Sequence, residues 1–380
     1  MTAIASFSVR QHPVMFGDLL LSGPEPAEQI LRVPSVGPVA NIFPEGSGYT
    51  ITNLKQKLAV IHPDLAMAWA GSYIKARSIA TELKQLAGAS ERTINLESIS
   101  GFLRDVQEDN TLEDLSIIVL ASERQTALVH TFWVRARAYT TDHYGRVCIA
   151  GSGHEDVAKL LKDFEHSELA RQSDLNPVNL AIFYAGTLAG SILAMDVSTR
   201  HSLLQFYGGG SEIVTLTGGE FAKVDKLAYV LWFAYVVDPE NIRMFDPIKI
   251  MYYTYRRDIL FLHTLGFDPS ADKEHRTIDN SRYLIGPVYS NTRLDAITEF
   301  ERELCYEPYH FVHMVQVVDS SGERIIGQFC LCRTKVGNPD ITIRFTPDDK
   351  INLTTKNELV ENIATRVAQL VRSDERRTGN

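Results

Sequence analysis

Cysteine is scarce in this chain, and so are the signatures of secretion and of nucleic-acid binding. The 380 residues include four cysteines, too few and too scattered for a disulfide framework. The formal net charge is −9, and Lys and Arg cluster only at 372–377, where acids interrupt them, so we expect no nucleic-acid partner. The N-terminal MTAIASFSV lacks a basic region and a long apolar run, which predicts no signal peptide and favours the cytoplasm.

The cysteines do not suggest a metal centre. Cys330 and Cys332 lie two positions apart on a predicted strand, so they share one face. A metal site would need a second pair of ligands, which the neighbouring sequence does not offer. We therefore interpret both as ordinary strand residues and predict no metal and no other cofactor.

One apolar stretch, residues 178–195, resembles a membrane span and carries Gly186 and Gly190 at GxxxG spacing. Asn179 lies inside it, its ends carry no basic flank or aromatic belt, and no second span exists. We therefore interpret the stretch as a buried helix and expect no membrane association.

Hydrophobic periodicity over residues 2–236 predicts two pairs of strands, two helices, three strands, two helices and two strands. This order fits two sheets stacked face to face with helices on both outer faces. The predicted fold class is α+β, a four-layer αββα sandwich, with a C-terminal α/β extension. The predicted domains are 1–239, an α+β domain of unknown role at 240–371, and a disordered tail at 372–380. Residues 22–50, with five prolines, are predicted to form a long loop.

The chemistry suggested by the N-terminal half is that of a threonine nucleophile. Thr2 follows Met1, and loss of Met1 would give it an α-amine that can accept the hydroxyl proton near neutral pH. Lys57 beside the hydroxyl would lower its pKa, and Asp18 would keep the lysine charged and oriented. The backbone N–H of Gly71, before a predicted helix, could donate to an oxyanion.

Each of these residues also has a structural interpretation. Asp18 could be a turn carboxylate, and Lys57 could be a strand-edge charge beside Lys55. Ser152 could cap a helix, because Glu155 stands at capping-box spacing. These alternatives stay open at the level of the sequence.

The pattern TxIxSFxVRxxxVxxGD, followed by KLxVIxPxLAxAxAG, resembles the proteasome β-subunit family over residues 2–236. It is closer to the HslV-type members, which expose their threonine by loss of methionine alone. The resemblance implies an N-terminal nucleophile (Ntn) hydrolase. It assigns the nucleophile to Thr2, the structural aspartate to Asp18, the pKa-lowering lysine to Lys57, the oxyanion glycine to Gly71 and the serine of the GSG turn to Ser152.

The resemblance also implies a substrate-binding residue. In the family, the position two residues before the oxyanion glycine faces the first specificity pocket, and here it is Trp69. A core tryptophan on a buried strand is the alternative. If Trp69 does line the pocket, its indole would leave room for small or slender side chains.

The implied activity is a threonine-type peptidase acting on a peptide or protein, in a homo-oligomer such as a ring, with an unfoldase as a candidate partner. The sequence departs from the family pattern before the Gly-Gly pair, where Gln205 and Gly208 replace an aspartate and a serine. This departure favours a first alternative, a catalytically silent scaffold subunit. A second alternative is an amidase acting on a small-molecule amide, which a monomeric state would favour.

Overall fold

The computed structural model describes most of the chain and divides it into two compact units. The residues it does not describe are 1, 25–31, 39–47, 89–93, 124–125, 127, 166–174, 239–240, 245, 269–276, 290–307, 323, 335–339, 346–350 and 379–380. The first unit holds residues 1–224, 255–260 and 284–297, and the second holds 225–254, 261–283 and 298–380. Met1 and most of the proline-rich loop predicted at 22–50 lie outside the described residues.

The first unit contains a six-stranded and a four-stranded antiparallel sheet. Its strands are β1 (Ala3–Val9), β2 (His12–Asp18), β3 (Leu20–Pro24), β4 (Arg32–Val33), β5 (Gly37–Pro38), β6 (Tyr49–Leu54), β7 (Leu58–His62), β8 (Leu65–Gly71), β9 (Leu115–Glu123), β10 (Leu128–Val134), β11 (Arg137–Thr141), β12 (Gly145–Gly151), β13 (Ser211–Thr217) and β14 (Glu220–Lys223). The large sheet has the order β11-β12-β1-β2-β13-β14 and the smaller one β10-β9-β8-β7, while β3 pairs with β6 and β4 with β5. The first strand of the chain therefore lies in the middle of the large sheet.

Helices cover one face of each of these two sheets. They are α1 (Tyr73–Gly88), α2 (Leu96–Glu108), α3 (His154–Phe164), α4 (Pro177–Ser198) and the short α5 (His201–Leu204). The first two pack on the four-stranded sheet, and α3 and α4 pack on the six-stranded sheet. A separate apolar cluster, which includes Ile4, Met15 and Ile118, lies between the sheets. This last cluster brings β1 and β8 into contact.

Helix α4 is apolar around its whole circumference because almost all of it is buried. Asn176 caps its first turn by accepting a hydrogen bond from the Asn179 N–H at 2.8 Å, and Pro177 occupies the first helical position. Among the described residues it is the one helix long and apolar enough to cross a membrane, and 83% of its most apolar window is buried inside the protein.

The second unit is built on a seven-stranded sheet. Its elements are β15 (Leu227–Asp238), β16 (Asn241–Met244), β17 (Lys249–Arg256), β18 (Ile259–Phe267), β19 (Thr277–Ile285), β20 (His310–Asp319), β21 (Ile325–Thr334), the hairpin β22 (Ile341–Phe345) and β23 (Ile351–Thr355), and α6 (Asn357–Thr378). The sheet has the order β19-β18-β17-β15-β20-β21, with β16 also on β15, and the β15–β20 pair is parallel. Leu359, Ile363 and Val367 of α6 join its apolar core.

The predicted fold class is wrong. Strands make up 50% of the structure and helices 29%, and the sheets are mostly antiparallel, so the chain is not an αββα sandwich with an α/β extension. The expectation undercounted strands. It missed β11 and the small β3–β6 and β4–β5 sheets, and it read the C-terminal region as mixed α/β. Residues 227–334 are rich in β-branched and aromatic side chains, which favour strands.

The units also differ from the predicted boundaries. The predicted first domain ends at residue 239, but β15, which begins at Leu227, pairs with β17 and β20 of the second unit. The tail predicted to be disordered from residue 372 is helical to Thr378.

The close approach of β2 to Lys57 requires a glycine. A Cβ at Gly17 would lie 3.0 Å from Lys57 Cβ and 3.0 Å from Leu58 Cδ2. We predict that Gly17→Val lowers the free energy of unfolding by about 1–3 kcal/mol through overpacking, measured by denaturant titration. The control is Gly101→Ala in α2. A Cβ added at Gly101 would have no atom within 4 Å apart from the adjoining backbone of its own helix. It should raise stability by about 0.4–1 kcal/mol. Equal stability of Gly17→Val and the parent would contradict the prediction.

Candidate active site

Thr2 lies directly before β1, in the centre of the six-stranded sheet, and is fully buried. Its backbone N–H donates to Ser152 Oγ at 3.2 Å, and its carbonyl accepts from the Gly153 N–H at 3.2 Å. The Thr2 hydroxyl has no hydrogen-bond partner among the described residues. The nitrogen that would become an α-amine after loss of Met1 is therefore already held by the predicted serine.

Asp18 ends the neighbouring strand β2 and is also buried. Its Oδ1 accepts from the Ala3 N–H at 3.1 Å and its Oδ2 from the Gly208 N–H at 2.9 Å. Burial raises the pKa of this carboxyl to about 6, although the Lys57 charge and both hydrogen bonds act in the opposite direction. Asp18 therefore ties the residue after Thr2 to the loop before β13.

Lys57 precedes β7 and is a fully buried lysine. Its Nζ lies 4.1 Å from the centroid of the Trp69 ring and has no hydrogen-bond partner among the described residues. Burial lowers the pKa of Lys57 to about 8, while the charges of Asp18 and Glu212 oppose the shift. The interaction with Asp18 is electrostatic, and the structure gives no direct ion pair between them.

Gly71 and Trp69 belong to β8, the strand of the smaller sheet that contacts β1. Gly71 has φ of +108°, and a Cβ there would stand 1.8 Å from the Asp114 carbonyl oxygen, so the position demands glycine. Helix α1 begins at Tyr73, two residues later. Trp69 is buried in the apolar cluster beneath α1 and α2, and its Nε1–H donates to the Gln56 carbonyl at 3.1 Å.

The structure thus brings five of the six predicted site residues, all except Gly71, into one connected group. Ser152 binds the Thr2 nitrogen, Asp18 binds the Ala3 nitrogen, and Lys57 packs against Gly17 of β2 and against Trp69. Gly71 lies on a strand that contacts β1, but no hydrogen bond joins Gly71 to Thr2. The roles assigned to all six remain predictions.

Sequence reasoning missed a second buried acid beside Lys57. Glu212 of β13 accepts the Lys57 N–H at 2.7 Å and the Leu58 N–H at 3.2 Å through Oε2. Its Oε1 pairs with Lys223 Nζ, which also donates to Gln56 Oε1 at 2.9 Å and to the Leu58 carbonyl at 2.7 Å. A lone acid within the apolar run SEIVTLT was the available signal.

The region 205–210 that departs from the family pattern is supported by a further acid that sequence reasoning missed. Asp196 at the end of α4 binds Ser202 Oγ, and its Oδ2 accepts from the Gly209 N–H at 2.8 Å. Burial raises the pKa of Asp196 to about 7, with the Ser202 hydrogen bond opposing. It is the one acidic residue in the apolar helix α4, and that isolation was its signal.

The described residues do not gather three or more His, Cys, Asp or Glu side chains into a group that could hold a metal ion. Cys330 and Cys332 lie on β21 with their sulfur atoms 3.5 Å apart.

Comparison with known proteins does not assign the chain to a family. No protein-family model matches the chain, and no curated protein matches it either. The resemblance to the proteasome β-subunit family therefore stays a prediction.

Removing one partner of the buried Glu212–Lys223 pair is expected to destabilise this region. Glu212→Gln removes the charge while keeping the shape, which leaves Lys223 buried without its counter-ion. We predict a loss of about 3 kcal/mol in the free energy of unfolding, measured by denaturant titration. The control is Glu82→Gln on the exposed face of α1, with a change within about 0.5 kcal/mol. A loss no larger than that of the control would show that the pair contributes little.

Proposed function

We propose that this protein is a threonine-type N-terminal nucleophile hydrolase, a peptidase that uses Thr2 after removal of Met1. The observation that supports this most is the hydrogen bond from the Thr2 nitrogen to Ser152 Oγ, next to a buried and charged environment made by Asp18 and Lys57. A threonine hydroxyl becomes a useful nucleophile when its own amine takes the proton.

The proposed reaction has two steps. Thr2 Oγ1 attacks the peptide carbonyl, its proton passes to the α-amine, and the amine leaving group departs with a proton as the ester forms. Water then hydrolyses the ester and restores the threonine. Lys57 stabilises the developing alkoxide, Asp18 keeps Lys57 in its charged form, and the Gly71 N–H donates to the oxyanion.

Trp69 is fully buried in the apolar cluster beneath α1 and α2, which favours the core-tryptophan alternative over the proposed substrate-binding role. Because Lys57 Nζ lies over its ring, the indole also stabilises the charged lysine by a cation–π interaction, typically about 0.5–2 kcal/mol. The homo-oligomeric assembly and the unfoldase partner remain proposals, as does the small-molecule amidase alternative.

A catalytically silent scaffold is the second candidate. The complete burial of Thr2, whose exposed fraction is 0%, favours it, because a nucleophile has to reach its substrate. Loss of Met1 would change the chain end beside Thr2, so the two candidates separate when the processed protein is tested.

Covalent labelling tests the nucleophile. The processed protein, checked by intact mass for the loss of one methionine, should react with an N-terminal-threonine probe such as a peptide epoxyketone, with one label per chain. Thr2→Ala and Lys57→Ala should each abolish labelling, because the first removes the hydroxyl and the second removes the charge to which the proposal assigns its activation.

Two controls accompany the labelling experiment: a threonine variant away from the site, and a check that the site variants fold. Thr217→Ala, at the exposed end of β13, should label normally. Circular dichroism should show that Thr2→Ala and Lys57→Ala are folded. Undiminished labelling of Thr2→Ala would place the reactive group elsewhere, and an unreactive processed protein would favour the silent scaffold.

The pH dependence tests the charge states. The reaction needs the α-amine and Asp18 unprotonated and Lys57 protonated. Because the pKa of an α-amine is about 8 and that of Lys57 is about 8, the labelling rate should be highest at about pH 8 and should fall on both sides. Lys57→Arg should remove the alkaline limb, because guanidinium stays protonated to about pH 12. Stopped-time labelling across pH 5–10, read by mass spectrometry, measures this. An alkaline limb that persists in active Lys57→Arg would mean that another group sets it.

A further inference from the structure

The first unit contains a cavity that the proposed reaction does not use. It has a volume of about 240 Å³ and is lined along one side by residues 58–61 of β7, the edge strand of the four-stranded sheet. At roughly 30 Å³ per water molecule, it has room for about eight waters, or for a small organic molecule. Leu58, Ile61 and Pro287 give it an apolar wall.

The charged lining of the cavity is mostly positive. Lys84 of α1, Lys223 of β14 and Arg257 of the β17–β18 turn all line it, against the single acid Asp258. Because Lys223 is paired with Glu212, the net positive charge facing the cavity comes from Lys84 and Arg257 against Asp258. A net positive lining favours an anionic occupant.

The three cations differ in what they can offer a ligand. Lys223 has its three ammonium hydrogens directed to Gln56, Leu58 and Glu212, so it contributes a fixed charge. Lys84 Nζ lies 4.6 Å from the centroid of the Tyr289 ring, which holds its side chain in place. Lys84 and Arg257 make no hydrogen bond or ion pair with the described residues, so their donors are available.

We propose that this cavity binds a small organic carboxylate. Arg257 would donate to both carboxylate oxygens, since guanidinium presents two parallel N–H groups. Lys84 would supply a second contact, and the short apolar body of the ligand would lie against the wall formed by β7 and Pro287. This site is separate from Thr2 and does not depend on the proposed hydrolase activity.

The cavity is nevertheless connected to Lys57 through the chain. Gln56 lines the cavity, and Lys223 donates to both Gln56 and Leu58, the residues on either side of Lys57. A ligand beside Lys223 would therefore act on the segment that positions Lys57.

Calorimetric titration of the full chain with hexanoate tests the proposal directly. Hexanoate should bind saturably at one site per chain. Hexanamide, which has the same shape without the charge, should bind at least about tenfold more weakly, because the charge-assisted hydrogen bonds are lost. Arg257→Gln and Lys84→Gln should each weaken hexanoate binding by about tenfold. Lys162→Gln, an exposed lysine on α3 away from the cavity, is the control and should leave it unchanged.

Three outcomes would overturn the proposal. Equal binding of hexanoate and hexanamide would mean that the cavity recognises only the apolar body. Equal effects of Arg257→Gln and Lys162→Gln would mean that the carboxylate binds elsewhere. Tighter binding of inorganic phosphate than of hexanoate would mean that the site is not built for a carboxylate. Arg257 is exposed and lies in a turn, so Arg257→Gln is expected to fold.

Discussion

The buried ammonium of Lys57 is the constraint on which the organisation of the first unit depends. Moving an ammonium group out of water costs several kcal/mol even after the protein relaxes around it. Here Asp18 and Glu212 offset that cost electrostatically, and the face of Trp69 takes the place of a hydrogen-bond acceptor. Strands β2, β8 and β13 each supply one part of this environment, so the lysine ties together both sheets of the unit.

Asp18 and Glu212, the two acids around Lys57, position different segments of the backbone. Asp18 accepts backbone N–H groups from β1 and from the glycine-rich segment before β13, so it positions the start of the chain. Glu212 accepts the N–H groups of Lys57 and Leu58 and pairs with Lys223, so it positions the start of β7. A change at either acid would therefore alter both the local backbone and the charge of Lys57. This coupling explains why the candidate site and the cavity beside Lys223 belong to one polar network.

The complete burial of Thr2 conflicts with the proposed role of its hydroxyl as a nucleophile. Ser152 and Asp18 hold the backbone on either side of the Thr2 side chain, as the proposed nucleophile would require, yet the hydroxyl is enclosed. Enclosure increases the electrostatic influence of Lys57, because a low dielectric strengthens charge interactions. It also prevents a substrate from reaching the hydroxyl. Chemical competence of this site therefore depends on what the loss of Met1 does to the chain end.

The sequence by itself determined the local elements and nominated the candidate site residues. The two opening strands, the helices α1 to α4 and the spacing of Thr2, Asp18 and Lys57 were readable because periodicity and turn residues act over short distances. The tertiary structure alone decided the fold class, which was predicted wrongly, and the contacts of Glu212, Lys223 and Asp196. Those contacts join residues far apart in the chain, such as Lys57 and Glu212. Pairing of distant strands depends on the packing of the whole unit, which no local pattern records.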